Sequence, residues 1–297
     1  MKDVRSAYLQ LHLAVLLFGF TAILGNLIEM SAVMIVWWRV FITSISLLFL
    51  INFKDEVLSM PRTLLLKYMG IGCLIALHWV CFYGAIKLAN SSIALICAAT
   101  VAFFTSMLEP LILRRKFDPV ELLLGFLIIP GMYVIVQHVD VGYLYGIGVG
   151  LVASFLAAIF SILNKRYVTE ASPYVINFVE MVSATLLVSF LIPLSGNILE
   201  LGPLLPQRTL DWGYLLVLAL VCTTFTNVIT LKSLRHLTAF GSNLVFNFEP
   251  LYGIVLAAVL LREYEQLTTG FYIGGAMIIS IVLLYPVLQR NRKKPTI

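Results

Sequence analysis

The chain has 297 residues, 61% of them apolar and only 12% charged, with 20 basic against 15 acidic side chains and a net charge of +5. A soluble domain carries about 25% charged residues, so this composition excludes one and points to a membrane protein. The basic excess fits loops that meet anionic lipid, and no interleaving of aromatic and basic residues calls for a nucleic-acid partner.

A membrane-spanning helix needs about 20 apolar residues. In chain order, such windows fall at approximately 9–28, 32–53, 64–86, 92–113, 120–138, 143–164, 174–193, 212–231, 238–261 and 268–288. They are too long for barrel strands and lack a period of two, so the expected fold class is an all-α membrane protein of ten transmembrane helices. The first window is too long for the apolar core of a signal peptide and no small-residue cleavage site follows it, so it is expected to remain attached. Placing the N-terminus in the cytoplasm puts 16 of the 20 basic residues on that side, among them Arg114, Arg115, Lys116, Lys165 and Arg166. The positive-inside rule therefore predicts a multi-pass protein of the cytoplasmic membrane with both termini cytoplasmic. The four cysteines, Cys73, Cys81, Cys97 and Cys222, lie inside windows and form no C-x-x-C pair, so no metal or cofactor is expected.

The stretch Ile86–Ala94 aligns with Leu231–Ala239 at an offset of 145, which also carries Gly125 onto Gly270. This predicts a first repeat over 1–140 and a second over 141–297. Five windows per repeat is an odd number, so the second repeat enters the membrane inverted, a pattern associated with transporters that alternate access to a midplane site.

The polar residues inside the windows are the candidates for function. Glu249 is the deepest acid, and intramembrane acids face a cavity or a partner. Ser242, Phe246, Glu249 and Gly253 share a helical face, with Asn243 and Asn247 beside it; Pro250 is expected to free the carbonyl of Phe246 within a broken helix. The bland alternative is a neutral, hydrogen-bonded structural acid. His78, Trp79, Phe82 and Tyr83 form an aromatic group suited either to a cavity wall for flat or cationic solutes or to plain packing, with His78 donating to a backbone carbonyl. Ser161 and Asn227 are further candidate lining residues, whereas Asn26 and Asn164 lie near window ends and read as interfacial. Arg39 and Glu180 stand at corresponding depths in the second and seventh windows and are expected to form a structural ion pair, with direct substrate contact as the alternative. Glu109–Pro110 repeats the Glu249–Pro250 dipeptide out of register; beside Arg114 and Arg115, Glu109 reads as an ion-paired or gating residue.

Phe18-Gly-Phe-Thr, Trp38-Arg39, the run Ala157–Arg166 and Pro250 thirteen residues before Glu263 together resemble the EamA branch of the drug/metabolite transporter superfamily. The resemblance extends from Leu9 to Pro286. Phe18 stands where a Trp is common, and Lys116 where the first repeat usually has the Glu that matches Glu263. The resemblance implies transport of a small metabolite, often outward, through a cavity lined by spans 1, 3, 4, 6, 8 and 9, with spans 2 and 7 peripheral. The expected function is thus a permease or exporter for a small organic molecule, with protons as a possible coupling ion. The alternatives are a gradient-independent facilitator, an intramembrane enzyme, for which no H-E-x-x-H spacing or Ser-His pair is present, and a receptor or scaffold, which would call for a soluble extension. No nucleotide-binding loop of the G-x-x-x-x-G-K-[ST] kind occurs, so gradients would supply any energy.

Overall fold

A computed structural model describes residues 2–194, 202–236, 245–246, 248–265 and 267–292. Helices account for all of the regular structure among these residues. They are α1 (Lys2–Leu27), α2 (Ala32–Leu48), α3 (Arg62–Leu88), α4 (Ser91–Ala98), α5 (Val101–Leu113), α6 (Pro119–His138), α7 (Leu144–Tyr167), α8 (Pro173–Leu194), α9 (Thr209–Leu216), α10 (Thr226–His236), α11 (Glu249–Leu261) and α12 (Thr269–Arg292). A π-helical stretch, Val217–Phe225, joins α9 to α10 without a break.

Among the described residues, seven segments are long and apolar enough to cross a membrane: α1, α3, the α4–α5 pair, α6, α7, α8 and the run from Thr209 to His236. The apolar helices α2 and α11 and the described apolar part of α12, Thr269–Ile281, are shorter. Side chains such as Phe49, Phe190 and Leu111 stand exposed on the outside of the bundle, where only a lipid solvent makes their exposure cheap.

The local starts and stops follow from side-chain chemistry. Ser31 accepts the Met34 amide at the start of α2, Asn90 accepts the Ile93 amide at 2.9 Å to open α4, and Asp118 caps α6 just before Pro119 in its first turn. Between α4 and α5 the chain makes a turn at Ala99–Thr100, where the Thr100 amide and hydroxyl both donate to the Cys97 carbonyl. The window expected to be continuous over 92–113 is therefore two half-helices. No Gly or Pro marks the break; the threonine hydroxyl competes for the carbonyl instead.

The packing exchanges the two repeats. Helix α2 packs on α8 and α6 on α12, each pair joining equivalent helices of the two halves. The remaining contacts exchange in kind: α1 against α11 matches α7 against α4 and α5, while α1 against α10 matches α3 against α7. Helix α1 can lie close to α11 because Gly19 meets Gly253. A Cβ on Gly19 would stand 2.9 Å from the Gly253 nitrogen, closer than side-chain carbons approach backbone. Gly253, expected on the same face as Glu249, is thus a packing residue.

Candidate functional site

A cavity of about 290 Å³ lies between the two halves. Its deep end is set by α1, α2, α3 and α11. Arg39 and Glu249 both belong to its lining and are near enough for their charges to interact. Phe18, Trp79, Phe82 and Phe246 supply aromatic walls, joined by His78 and by Phe160, whose ring centroids lie 5.3 Å apart. Toward the other end the lining becomes polar, with Asn164, Lys165, Glu180, Asn227 and Thr230, then Glu109 and Glu121.

Arg39 is fully buried, and its partners differ from the expected one. Its guanidinium donates to the Thr223 hydroxyl at 2.7 Å, to the Tyr83 hydroxyl at 2.9 Å and to the Cys222 carbonyl at 3.4 Å, and stacks 3.8 Å from the Trp79 ring centroid. No ion pair to Glu180 forms among the described residues. The reason lies in the π-helical stretch, whose wider turn breaks the regular carbonyl pairing. The hydroxyls of Thr223 and Thr224 reach back five residues to Leu218 and Ala219, and the chain presents the Cys222 carbonyl and Thr223 hydroxyl to α2. Thr43 donates to the Ala219 carbonyl from the same face of α2. The run Val217–Phe225 carries no Gly or Pro; its paired threonines are the one trace of this docking site in the sequence.

Glu180 is 2% exposed and instead meets Asn164, a side chain expected at the interface but found buried. The Glu180 Oε1 and Asn164 Oδ1 atoms are buried without a hydrogen-bond partner, as is the Thr230 hydroxyl. Spans expected to be peripheral thus reach the cavity through Arg39 and Glu180.

The other candidates sort as follows. Trp79, Phe82, Phe246 and Glu249 line the cavity. His78 combines both of its alternatives: it lines the cavity, and its Nδ1 lies 2.9 Å from the Ala153 carbonyl. Tyr83 is a correction, because it is fully buried beneath Arg39 and is absent from the lining. Ser161 lines the cavity but turns its hydroxyl back to the Ala157 and Ala158 carbonyls of its own helix. Asn227 lines it while donating to Asn177 at 3.1 Å. Ser242, Asn243 and Asn247 lie outside the described residues. Pro250 sits in the first turn of α11, where the absent amide hydrogen has no intrahelical partner to lose; of the stretch before it, Asn247 lies outside the described residues.

The two ends of the cavity differ. Beyond Arg39 and Glu249, the Glu263 carboxylate accepts the Ser91 amide at 3.0 Å, the Ser92 amide at 2.8 Å and the Ser92 hydroxyl at 2.6 Å, so it caps the N-terminus of α4. On this same side Lys87 donates to the Ile28 carbonyl at 2.6 Å, and Arg208 joins Glu29, Asp211 and the Leu27 carbonyl. The Asp211 hydrogen bond holds the Arg208 guanidinium above its ordinary pKa. At the opposite end Arg115 pairs with Glu109 at 3.0 Å and Glu121 at 2.8 Å. Partial burial works to lower the Arg115 pKa, but the two carboxylates outweigh it and hold the group above its ordinary value.

These features define a multi-pass membrane protein whose two related halves enclose a cavity sealed on one side by buried polar contacts. The profile of the EamA-like transporter family matches residues 5–137 and again 144–285, and the chain belongs to that family. Twenty-three chains of solved structures resemble it. In one, a crystal structure of a protein, the TM-score is 0.66 at 16% identity, with 96% of this chain and 99% of that chain covered, a likeness that shows the fold. No curated protein matches the chain in sequence.

Proposed function

We propose that the protein is a secondary transporter that moves a small organic metabolite across the cytoplasmic membrane by alternating access, with Glu249 exchanging the coupling proton. The observation that carries this reading is the cavity between inverted halves, with Glu249 and Arg39 at its deep end and the Glu263 cap behind them. In the orientation favoured by the basic residues, the Lys165 and Arg115 end faces the cytoplasm, so this conformation is the inward-facing one and all ten apolar segments cross the membrane. Cysteines introduced at Asp55 and Gln207, in a background lacking the native four, should then react with an impermeant reagent from opposite faces. Reaction from one face for both would overturn the topology.

The functional test is reconstitution in liposomes with labelled amino acids, nucleobases and polyamines under an imposed pH gradient. One class of solute should accumulate. With Glu249→Gln the side chain keeps its size but cannot exchange a proton, so solute exchange should persist while gradient-driven accumulation disappears. The second reading, a gradient-independent facilitator, draws on the Arg39 charge facing Glu249, since an acid held beside a fixed cation can keep one protonation state throughout the cycle. Equilibration of the solute without accumulation, alike in the parent and in Glu249→Gln, would favour it.

A further inference from the structure

We infer that the cavity binds its solute through a protonated amine, which docks between Glu180, Asn164 and Thr230. The inference rests on the transport reading and names the substrate class. Among the described residues six charged side chains line the cavity, and four of them are acids: Glu109, Glu121, Glu180 and Glu249. Three of the four acids have cationic company. Glu109 and Glu121 share Arg115, and Glu249 faces Arg39. Among the described residues no cation forms an ion pair with Glu180, and its one hydrogen-bonding side chain, Asn164, is neutral.

Glu180 Oε1, Asn164 Oδ1 and Thr230 Oγ1 are three buried oxygens without a donor, and all three residues line the one cavity. A buried acceptor left unpaired costs free energy, and an unpaired carboxylate costs more, so this wall is built for a donor that the protein does not supply. A primary ammonium carries three N–H donors and one positive charge, which matches three acceptors and supplies the countercharge that the Glu180 carboxylate lacks among the described residues. A solute carboxylate would bring only further acceptors to the same oxygens. Of the two cations in the lining, Arg39 is fully buried and engaged with Thr223, Tyr83, Cys222 and Trp79, and Lys165 donates to the Leu234 carbonyl at 2.8 Å. The Phe160 and Phe82 rings nearby give the carbon skeleton an apolar surface whose π-faces also favour a cation.

Equilibrium binding to the purified full chain in detergent tests this without requiring flux. The probes are 2-phenylethylammonium, its neutral analogue 2-phenylethanol and its anionic analogue 3-phenylpropionate, with tryptammonium and putrescine as ammonium compounds of other shapes. At least one ammonium compound should bind about tenfold or more tightly than the alcohol and the carboxylate, the discrimination expected of hydrogen bonds to a charged group. Glu180→Gln should remove that preference while leaving the binding of the alcohol unchanged. The comparison of analogues in the parent protein needs no variant, so it decides the matter even where Glu180→Gln does not fold.

Equal binding of ammonium, alcohol and carboxylate, a preference that persists in Glu180→Gln, or no saturable binding of any ammonium compound would each overturn the inference. Stabilisation by sodium or by acid alone, with no ammonium binding, would overturn it too and assign the carboxylate to a coupling ion. Flux of anionic solutes without ammonium binding would sink this inference and leave the transport reading intact, whereas ammonium binding without flux of any solute would do the reverse.

Discussion

Helices α5 and α11 occupy equivalent places in the two halves, and their differences concentrate the chemistry of the protein. Each is thirteen residues long, and each ends on an arginine in the left-handed conformation, Arg114 at φ 53° and Arg262 at φ 54°. Helix α11 opens on Glu249, which faces the buried Arg39 of α2; α5 opens on Val101, and on α8, the helix equivalent to α2, Glu180 forms no ion pair among the described residues. After the left-handed arginine, α11 is followed by Glu263, which caps α4, and α5 by Arg115, which pairs with Glu109 and Glu121. A duplicated backbone thus gives the same frame twice, and single charge changes make one end of the cavity a seal with a compensated centre and the other an open mouth with an unpaired acid.

The largest effect should follow from breaking the compensated centre. Arg39→Met removes a buried guanidinium with three hydrogen-bond partners and leaves Glu249 facing no fixed charge, which should lower stability by about 3–5 kcal/mol. Adding Glu249→Gln should recover part of the loss, whereas adding Glu180→Leu should not. Thermal unfolding of the single and double variants measures the coupling. A rescue confined to the Glu180 combination would restore the ion pair expected from sequence and refute the assignment of Arg39 to Glu249.

That contrast also marks how far the sequence carries. The helical class, the two repeats and the grouping of His78, Trp79 and Phe82 were legible because composition, an internal repeat and helical spacing are local quantities. So was Glu249, since an acid inside an apolar run is conspicuous. The partner of Arg39 was not legible, because it depends on a π-helical stretch that redirects the Cys222 carbonyl and Thr223 hydroxyl toward α2, and nothing in Val217–Phe225 announces the wider turn. Depth alone suggested Glu180, and depth does not fix the rotation of a helix about its axis. Asn164 was misjudged for the same reason: it stands near the end of its helix, yet it turns inward to meet Glu180. The break between α4 and α5 was hidden because a threonine hydroxyl, with no proline or glycine, ends the first half-helix.

The seal should show a smaller effect in stability and a clear one in access. Glu263→Ala deprives two backbone amides and a hydroxyl of their acceptor, at a cost of about 2–3 kcal/mol. Water can reach an opened helix end and recover part of that loss, so the larger consequence is the loosened contact between α4 and the segment after α11. A single cysteine at Thr21, a cavity-lining position on α1, should react with an impermeant thiol reagent from one face of parent vesicles and from both faces after Glu263→Ala. Labelling that stays one-sided would show that the neighbouring Lys87 and Arg208 contacts hold the closure without Glu263.

The smallest effect belongs to the residue that follows the equivalent cap in the first half. The Arg115 side chain is 35% exposed, so water and salt screen its attraction to Glu109 and Glu121, and exposed ion pairs of this kind contribute about 1 kcal/mol or less. Arg115→Ala removes that attraction and leaves two carboxylates at one mouth, a repulsion that ions in solution also screen. The variant should therefore unfold within about 1 kcal/mol of the parent at low salt and closer still at high salt, and the cysteine at Thr21 should keep its one-sided labelling. A loss as large as that of Glu263→Ala, insensitive to salt, would mean that Arg115 acts as a buried strut, and the two ends of the cavity would then differ in sign of charge but not in mechanical role.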